Sequence, residues 1–144
     1  MSGARPGVLD DAVTLKFLVL AAGVIAGLKQ SGAPDMALLF SETPAAVAAA
    51  FTANRFAAAP VLYGRTIVRT GRPVRAVLIN SGNANACTGK RGLMDARTAA
   101  AKAAAVMRVQ PAQVLVSSTG RIGVPLPMAK ILAGTRAAVK ALAS

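Results

Sequence analysis

The sequence predicts an α/β fold, because short apolar runs typical of strands alternate with segments typical of helices. Residues 76–79 and 114–116 are apolar runs of strand length, and each ends abruptly in polar residues. Between them, residues 94–109 are rich in alanine, with Asp95 near the start and Arg108 near the end, as a helix dipole favours. We therefore expect a mixed sheet packed against helices.

Apolar runs bounded by turn residues predict the other strands. In chain order the predicted strands are residues 14–28 (a strand, or a strand and a turn), 36–40, 66–68, 74–79 and 114–116, with residues 60–63 extended. The first two are expected to pair across a turn that contains Gly32 and Pro34. The uncharged run at 17–28 is too short to span a membrane, so we expect no membrane association.

The helices are predicted from capping residues and composition. Thr43 and Pro44 are typical of a helix start, with Thr as the N-cap and Pro at the first helical position. The predicted helices are residues 44–52, 94–109 and 128–143. Since no repeat or linker divides the chain, we expect a single α/β domain at 14–144 after a mobile N-terminus at 1–13.

The composition limits the core and the chemistry. Four Phe, one Tyr and no Trp leave a core of Ala, Val, Leu, Ile and Met. Burial of such a core gains less free energy per residue than burial of a core with large side chains. The fold is therefore expected to depend on another chain or segment for burial. The lone Cys87 forms no internal disulfide, which favours a cytoplasmic protein. With no His and five scattered acidic residues, we expect no metal site.

The net charge of +12 raises nucleic acid as a partner. The densest basic group comprises Arg65, Arg69, Arg72 and Arg75. No aromatic residues interleave with these arginines as stacking platforms. A solvated basic face, or one that meets an acidic partner or small anions, is the favoured interpretation.

Two polar stretches are the candidate site. The candidate residues of the first stretch are Asn80, Ser81, Gly82, Asn83 and Asn85. The second stretch, Ser117-Ser118-Thr119-Gly120, follows the strand at 114–116. Each stretch is either a connecting loop or a site loop at the carboxyl end of a strand, where α/β sheets bind ligands. A phosphate loop is rejected, because Cys87 stands where such a loop needs its second glycine. Cys87 is predicted to be a small packing residue and not a nucleophile.

Five segments, in order, resemble the N-terminal part of the ornithine acetyltransferase (glutamate N-acetyltransferase) family. They are AAGVIAGLKQSGAPDMALLFSE (21–42), AAFTANRFAAAPV (49–61), INSGNANACTG (79–89), VLVSSTGRIGVPLPM (114–128) and KILAG (130–134). The third and fourth segments are specific, and the others are weak by themselves. Arg121 and Ala129 depart from the family pattern, which favours an apolar and an acidic residue there.

The resemblance implies a cytoplasmic enzyme of arginine biosynthesis that moves an acetyl group from N-acetylornithine to glutamate. Some members also use acetyl-CoA as the donor, and no metal or other cofactor is implied. The precursor cleaves itself into an α chain and a β chain, which assemble as two α and two β chains. The new N-terminal threonine of the β chain is the nucleophile, and its own amine can serve as the base.

The resemblance also implies a role for the second polar stretch. The family stabilises the tetrahedral oxyanion with a threonine and the following glycine, which correspond to Thr119 and Gly120. A hydroxyl and a closely approaching backbone N–H suit that role, and Ser117 and Ser118 are interpreted as supporting hydrogen-bond groups. The nucleophilic threonine belongs to a later segment that is not among these 144 residues. This chain alone is therefore expected to be an incomplete fold and inactive.

Two alternatives remain open. One is a related self-processing hydrolase, similar to an aminopeptidase, with a threonine or serine nucleophile. Such an enzyme would release acetate or cleaved peptide instead of N-acetylglutamate. The other is a nucleic-acid-binding module that uses the basic surface, whose binding would fall steeply with salt.

Overall fold

A four-stranded mixed sheet and three helices form the fold in the computed structural model, which describes residues 19–142. The strands are β1 (Val19–Val24), β2 (Met36–Ala45), β3 (Val74–Asn83) and β4 (Val114–Arg121). The helices are α1 (Ala59–Val68), α2 (Gly89–Met107) and α3 (Met128–Leu142), and a single 3₁₀ turn covers Pro111–Gln113. The α/β class predicted from the sequence is confirmed.

The sheet has the order β1-β2-β3-β4. The pairs β1–β2 and β2–β3 are antiparallel, whereas β3–β4 is parallel. A parallel pair needs a crossover connection, and α2 supplies it. Because β3 and β4 run in the same direction, their carboxyl ends lie at the same edge of the sheet.

One face of the sheet carries the core. Leu38 of β2, Leu78 of β3 and Val114 of β4 are buried against the helices. The buried stripe of α2 is made of alanines, and Ala100 and Ala103 are completely inaccessible. Such small side chains let the helix backbone come close to the sheet. The core therefore consists of the aliphatic residue types that the composition predicts.

Tyr63 connects α1 to the start of β4. The side chain is buried, and its hydroxyl lies 3.1 Å from the carbonyl oxygens of Pro111 and Val114. Burial raises the pKa of the Tyr63 phenol. A buried tyrosine needs such a partner for its hydroxyl. This contact holds α1 beside the strand that leads to the second polar stretch.

The predicted helix at 44–52 is wrong. β2 continues through Thr43 and Pro44 to Ala45, and residues 46–54 have no regular secondary structure. The pairing with β3 is irregular between Phe40 and Ala45. A proline is tolerated in a strand at such an irregularity, where its missing N–H breaks no ladder hydrogen bond. A helix of nine residues with no tertiary packing is also unstable by itself.

The predicted extended segment at 60–63 and strand at 66–68 are also wrong, since both lie in α1. Pro60 lies in the first turn of this helix, where its missing N–H costs nothing. Tyr63 and Ile67, four residues apart, are both buried on the same face of the helix. Burial of that face outweighs the strand preference of Thr66, Ile67 and Val68.

The other elements agree with the sequence in position but differ in length. β1 lies within the predicted 14–28 segment and pairs with β2 as expected. The helices predicted at 94–109 and 128–143 are confirmed as α2 and α3, although α2 begins at Gly89. The proposed mobile segment 1–13 lies outside the described residues. No helix among residues 19–142 is long and apolar enough to cross a membrane.

Candidate functional site

The two polar stretches predicted to form the site lie side by side in the sheet. Residues 80–83 and 117–120 are not loops but the polar ends of β3 and β4, which is a correction to the sequence prediction, whereas Asn85 lies in the loop that follows β3. The register pairs Asn80 with Ser118, Ser81 with Thr119 and Gly82 with Gly120. The structure therefore brings residues that are 38 positions apart in the sequence into adjacent strands.

Glycine is required where the two polar ends meet. Gly82 and Gly120 have φ angles of 99° and 125°, a region that L side chains rarely adopt. A Cβ on Gly120 would lie 2.6 Å from the backbone nitrogen of Asn83 and closer still to the carbonyl carbon of Gly82. The backbones of β3 and β4 can approach this closely only because position 120 is glycine, whereas a Cβ on Gly82 would meet the backbone of Leu28 at 3.2 Å.

Asn80 and Asn83 are buried, and their side-chain nitrogens donate hydrogen bonds to backbone carbonyl oxygens. The side-chain nitrogen of Asn80 donates to the carbonyl oxygen of Asn83 at 2.8 Å. The side-chain nitrogen of Asn83 lies 3.0 Å from the carbonyl oxygen of Val124 and 3.1 Å from that of Pro125. The end of β3 is thereby tied to the segment that follows β4. Both amides are engaged within the chain and do not point at a ligand.

Asn85 ties the same region to the start of α2. It is completely buried, with a φ of 48°. Its side-chain nitrogen donates to the carbonyl oxygen of Gly92 at 2.9 Å, and its side-chain oxygen accepts the Thr88 hydroxyl at 2.8 Å. Its backbone N–H donates to the side-chain oxygen of Asn83 at 2.9 Å. The three asparagines therefore form one buried network beneath the two polar strand ends.

Ser118 and Thr119 point to opposite faces of the sheet, because side chains alternate along a strand. The Ser118 hydroxyl donates to the side-chain oxygen of Asn80 at 2.6 Å, on the buried side. Thr119 and Gly120 are exposed, as is Ser117. Ser118 is thus bonded to the buried Asn80, whereas Thr119 is exposed to solvent. Arg121 is also exposed and adds positive charge at this strand end.

Sequence reasoning missed Asp35, which directly precedes β2 and contacts the polar end of β3. Its carboxylate accepts backbone N–H groups of Ala26 at 2.6 Å, Leu28 at 2.5 Å and Lys29 at 3.0 Å. Its own carbonyl oxygen accepts the Ser81 N–H at 2.8 Å. The signal was available, since a lone acidic residue after Gly-Ala-Pro is typical of a side chain that caps a turn.

The electrostatics of Asp35 follow from these bonds. Burial alone raises the pKa of the carboxyl, but the backbone N–H groups of Lys29, Ala26 and Leu28, with the Lys29 charge, hold that pKa below its ordinary value. Asp35 is therefore a structural anion and not a proton donor or acceptor at neutral pH.

Cys87 is exposed, so its prediction as a small packing residue is wrong. Its φ of 56° turns the chain out of the asparagine network, and its side chain lines an open cavity of about 370 Å³. Arg55, Phe56 and Lys90 also line that cavity. Among residues 19–142, no three His, Cys, Asp or Glu side chains lie close enough together to hold a metal ion.

Two of the four clustered arginines contact their own chain. The Arg65 guanidinium lies 5.9 Å from the ring centre of Phe51 and also donates to the carbonyl oxygen of Thr52. The Arg75 guanidinium lies 5.0 Å from the ring centre of Phe40. These contacts are cation–π interactions within the fold. Arg65 and Arg75 are thus each engaged with an aromatic ring of their own chain.

Comparison with known proteins identifies the family of the chain. The ArgJ family matches residues 20–144. The arginine biosynthesis bifunctional protein ArgJ of Caldanaerobacter subterraneus is 47% identical over 135 residues, which cover 94% of this chain and 33% of that protein. The chain thus spans about a third of the length of the curated relatives it matches.

Two solved structures share the fold. A crystal structure of ornithine acetyltransferase from Mycobacterium tuberculosis, complexed with ornithine, is 47% identical with a TM-score of 0.81 and covers 86% of this chain and 67% of that chain. A crystal structure of the arginine biosynthesis bifunctional protein ArgJ of Bacillus halodurans is 39% identical with a TM-score of 0.80. The match covers 83% of this chain and 62% of that chain. From these shares, both crystallised chains are about 1.3 times as long as this one, whereas the Caldanaerobacter protein is about 2.8 times as long.

Proposed function

Because the chain belongs to the ArgJ family, we propose that it is the N-terminal part of an acyltransferase that moves acetyl from N-acetylornithine to glutamate. The proposal rests on one observation: exposed Thr119 and Gly120 stand at the end of β4, held against Gly82 by a contact that only a glycine at position 120 permits. The likeness to a structure of ornithine acetyltransferase with ornithine bound supports this substrate class.

In the proposed reaction, a nucleophile attacks the acetyl carbonyl, whose oxygen becomes an oxyanion in a tetrahedral intermediate. The Thr119 hydroxyl donates one hydrogen bond to that oxygen, and the Gly120 N–H donates the other. One preorganised donor of this kind lowers the barrier by about 3 kcal/mol. The donors gain this advantage because β3 and the buried asparagines hold their backbone in place before substrate arrives.

The nucleophile is proposed to come from a second part of the protein. The likeness to two crystallised chains that are less than half as long as the curated Caldanaerobacter relative supports a protein divided into two chains. The second, β chain would begin with threonine, whose hydroxyl attacks while its own amine takes the proton. Two chains of each kind would form the enzyme in the cytoplasm, with no metal, and this chain alone would be inactive. Acetyl-CoA is the proposed second donor.

The first experiment is to purify the protein from its native source and measure the intact masses of this chain and of everything bound to it. We expect a second chain that begins with threonine. The complex should form N-acetylglutamate from N-acetylornithine and glutamate, and the isolated 144-residue chain should form none. A replacement of the terminal threonine of the second chain by alanine is the matched control and should abolish transfer.

Other outcomes separate the alternatives. Release of free acetate or cleaved peptide, without N-acetylglutamate, would indicate the related hydrolase. An intact complex that turns over neither substrate would contradict the proposed function. Salt-sensitive binding to nucleic acid, with no associated chain, would favour the basic binding module.

A further inference from the structure

Asn80 contacts both strand ends of the site. Its side-chain oxygen accepts the Ser118 hydroxyl at 2.6 Å, and its side-chain nitrogen donates to the carbonyl oxygen of Asn83 at 2.8 Å. The side chain is buried, with 6% of the residue exposed. A buried amide whose two ends are both bonded is held in a single orientation. Ser118, which immediately precedes Thr119 in the chain, is therefore bonded to a side chain whose orientation is fixed.

The end of β4 needs such support. β4 is the last strand of the described sheet, so β3 is its one neighbour there. Thr119 and Gly120 are exposed and have no core packing of their own. Exposed ends of edge strands open more readily than the interior of a sheet. An oxyanion site at this place would lose its preorganisation if the strand end moved.

The backbone is held on both sides of Thr119 and Gly120. Before them, the Ser118 side chain is bonded to Asn80. After them, the carbonyl oxygen of Arg121 accepts the Ala84 N–H at 2.9 Å. Gly120 itself lies against Gly82. The two exposed residues therefore form a short span between two anchors, and the first anchor is a bond between side chains that substitution can remove.

We propose that Ser118 and Asn80 are a positioning pair, which fixes the backbone of Thr119 and Gly120 and thereby sets the rate of acetyl transfer. The inference rests on the proposed function of Thr119. The pair acts through Thr119 and Gly120, because Asn80 is buried and the Ser118 hydroxyl is already bonded to it. Ser118 acts as a hydrogen-bond donor to Asn80 and takes no part as a nucleophile.

The pair should affect turnover and not substrate binding. A misplacement of about 1 Å at a catalytic group can cost about a hundredfold in rate. In the complete two-part enzyme, we expect Ser118→Ala to lower kcat about tenfold with KM unchanged, a smaller loss because the Arg121 anchor remains. Ser118→Thr keeps a hydroxyl that can reach Asn80 and should restore most of the rate.

A double-mutant cycle tests the mechanism. Ser118→Ala and Thr119→Ala are measured singly and together. If Ser118 acts through the oxyanion site, the loss in the double variant should be smaller than the product of the two single losses, because only the Gly120 donor remains to be displaced. Thr135→Val is the matched control, because it removes a buried hydroxyl that donates to the carbonyl oxygen of Ile131 at 2.8 Å, in α3. The control should lower the unfolding temperature without changing kcat.

Each result has a distinct meaning. If Thr119→Ala is slow and Ser118→Ala turns over like wild type, the positioning inference is wrong and the proposed function stands. If Thr119→Ala turns over like wild type, the proposed role of Thr119 fails, and the inference fails with it. If the losses of the two variants multiply, Ser118 acts independently of the oxyanion site, which also overturns the inference.

Hydrogen exchange on the complete two-part enzyme provides a second measurement that needs no turnover. Ser118→Ala should accelerate amide exchange at Thr119 and Gly120, while Thr135→Val leaves those amides unchanged. Unchanged exchange at both amides in Ser118→Ala would overturn the positioning inference whatever the kinetics show.

Discussion

Gly82 and Gly120 lie opposite each other in the parallel pair of β3 and β4, so close that the backbone of Gly82 leaves no room for a side chain on Gly120. This contact joins the two polar sequence segments into one site. It also makes the geometry of the site sensitive to the smallest possible substitution.

Gly120→Ala should therefore disable the site. The added methyl group would press on the backbone of Gly82 and Asn83, and alanine is strained at a φ of 125°. We expect acetyl transfer in the complete enzyme to fall at least about a hundredfold, and the free energy of unfolding to fall by about 2–3 kcal/mol. Kinetics and urea unfolding measure the two effects.

Gly71→Ala is the matched control for this substitution. Gly71 also has a positive φ, of 64°, but no atom lies within 4 Å of an added Cβ. It should cost about 1 kcal/mol of stability and leave the transfer rate unchanged. Equal losses of activity in the two variants would contradict the importance of the close contact.

Thr119→Ala should lower acetyl transfer about a hundredfold, because one oxyanion donor is removed. Thr119 is exposed, so the unfolding temperature should change little. Thr119→Ser keeps the hydroxyl and should retain most of the activity. Steady-state rates of N-acetylglutamate formation are measured for wild type, Thr119→Ala and Thr119→Ser. A wild-type rate in Thr119→Ala would remove this hydroxyl from the mechanism.

Asp35→Asn should destabilise the fold in a pH-dependent way. At neutral pH the substitution weakens the bonds to three backbone N–H groups and should cost about 2 kcal/mol. The folded pKa of Asp35 lies below the ordinary value of 3.8. The carboxylate therefore stabilises the fold above about pH 4, and that stability is lost as the pH falls through the folded pKa.

Urea unfolding at pH 7 and pH 3 measures the effect. The difference between wild type and Asp35→Asn should shrink at the lower pH. Asp95→Asn is a control of opposite sign, because burial raises the pKa of Asp95 despite the nearby Arg91 charge. Relative to wild type, Asp95→Asn should become more stabilising as the pH rises through the folded pKa of Asp95. A difference for Asp35→Asn that is the same at both pH values would contradict its role as a structural anion.

Asn85→Ala should cost about 2–3 kcal/mol, because it leaves the buried carbonyl oxygen of Gly92 and the Thr88 hydroxyl without their partner. Asn54→Ala is the comparison. Asn54 accepts the Phe56 N–H at 2.9 Å, but that bond is exposed to water, so the change should stay within about 0.5 kcal/mol. Urea unfolding of both variants measures the difference, and equal values would show that the Asn85 network contributes no more than a surface turn.

Strands and helices were predicted most accurately where the residue pattern of a segment matches its place in the buried core. The apolar runs at 36–40 and 74–79 and the alanine-rich segment at 94–109 predicted two strands and a helix, and each contributes residues to the buried core. The helix at 44–52 and the strand at 66–68 failed, because each prediction relied on local preference. Ile67 is buried with Tyr63 on one face of α1, a tertiary contact that strand preference does not reveal.

The site could be predicted in part for a related reason. Asn80 and Thr119 were found because polar residues follow apolar runs and match a family motif. That these polar residues remain in strands could not be inferred, since their pairing depends on contact between segments far apart in the chain. The support from Asp35 depends likewise on a fold that brings three N–H groups around one carboxylate.

The alanine stripe of α2 has a consequence for the entropy of folding. A leucine or methionine loses side-chain torsional freedom when it is buried, whereas alanine has none to lose. Ala100, Ala103 and Ala104 are completely inaccessible, so α2 docks on the sheet at almost no cost in side-chain entropy. The low entropic cost offsets part of the stabilisation that is lost because only small apolar groups of α2 are buried.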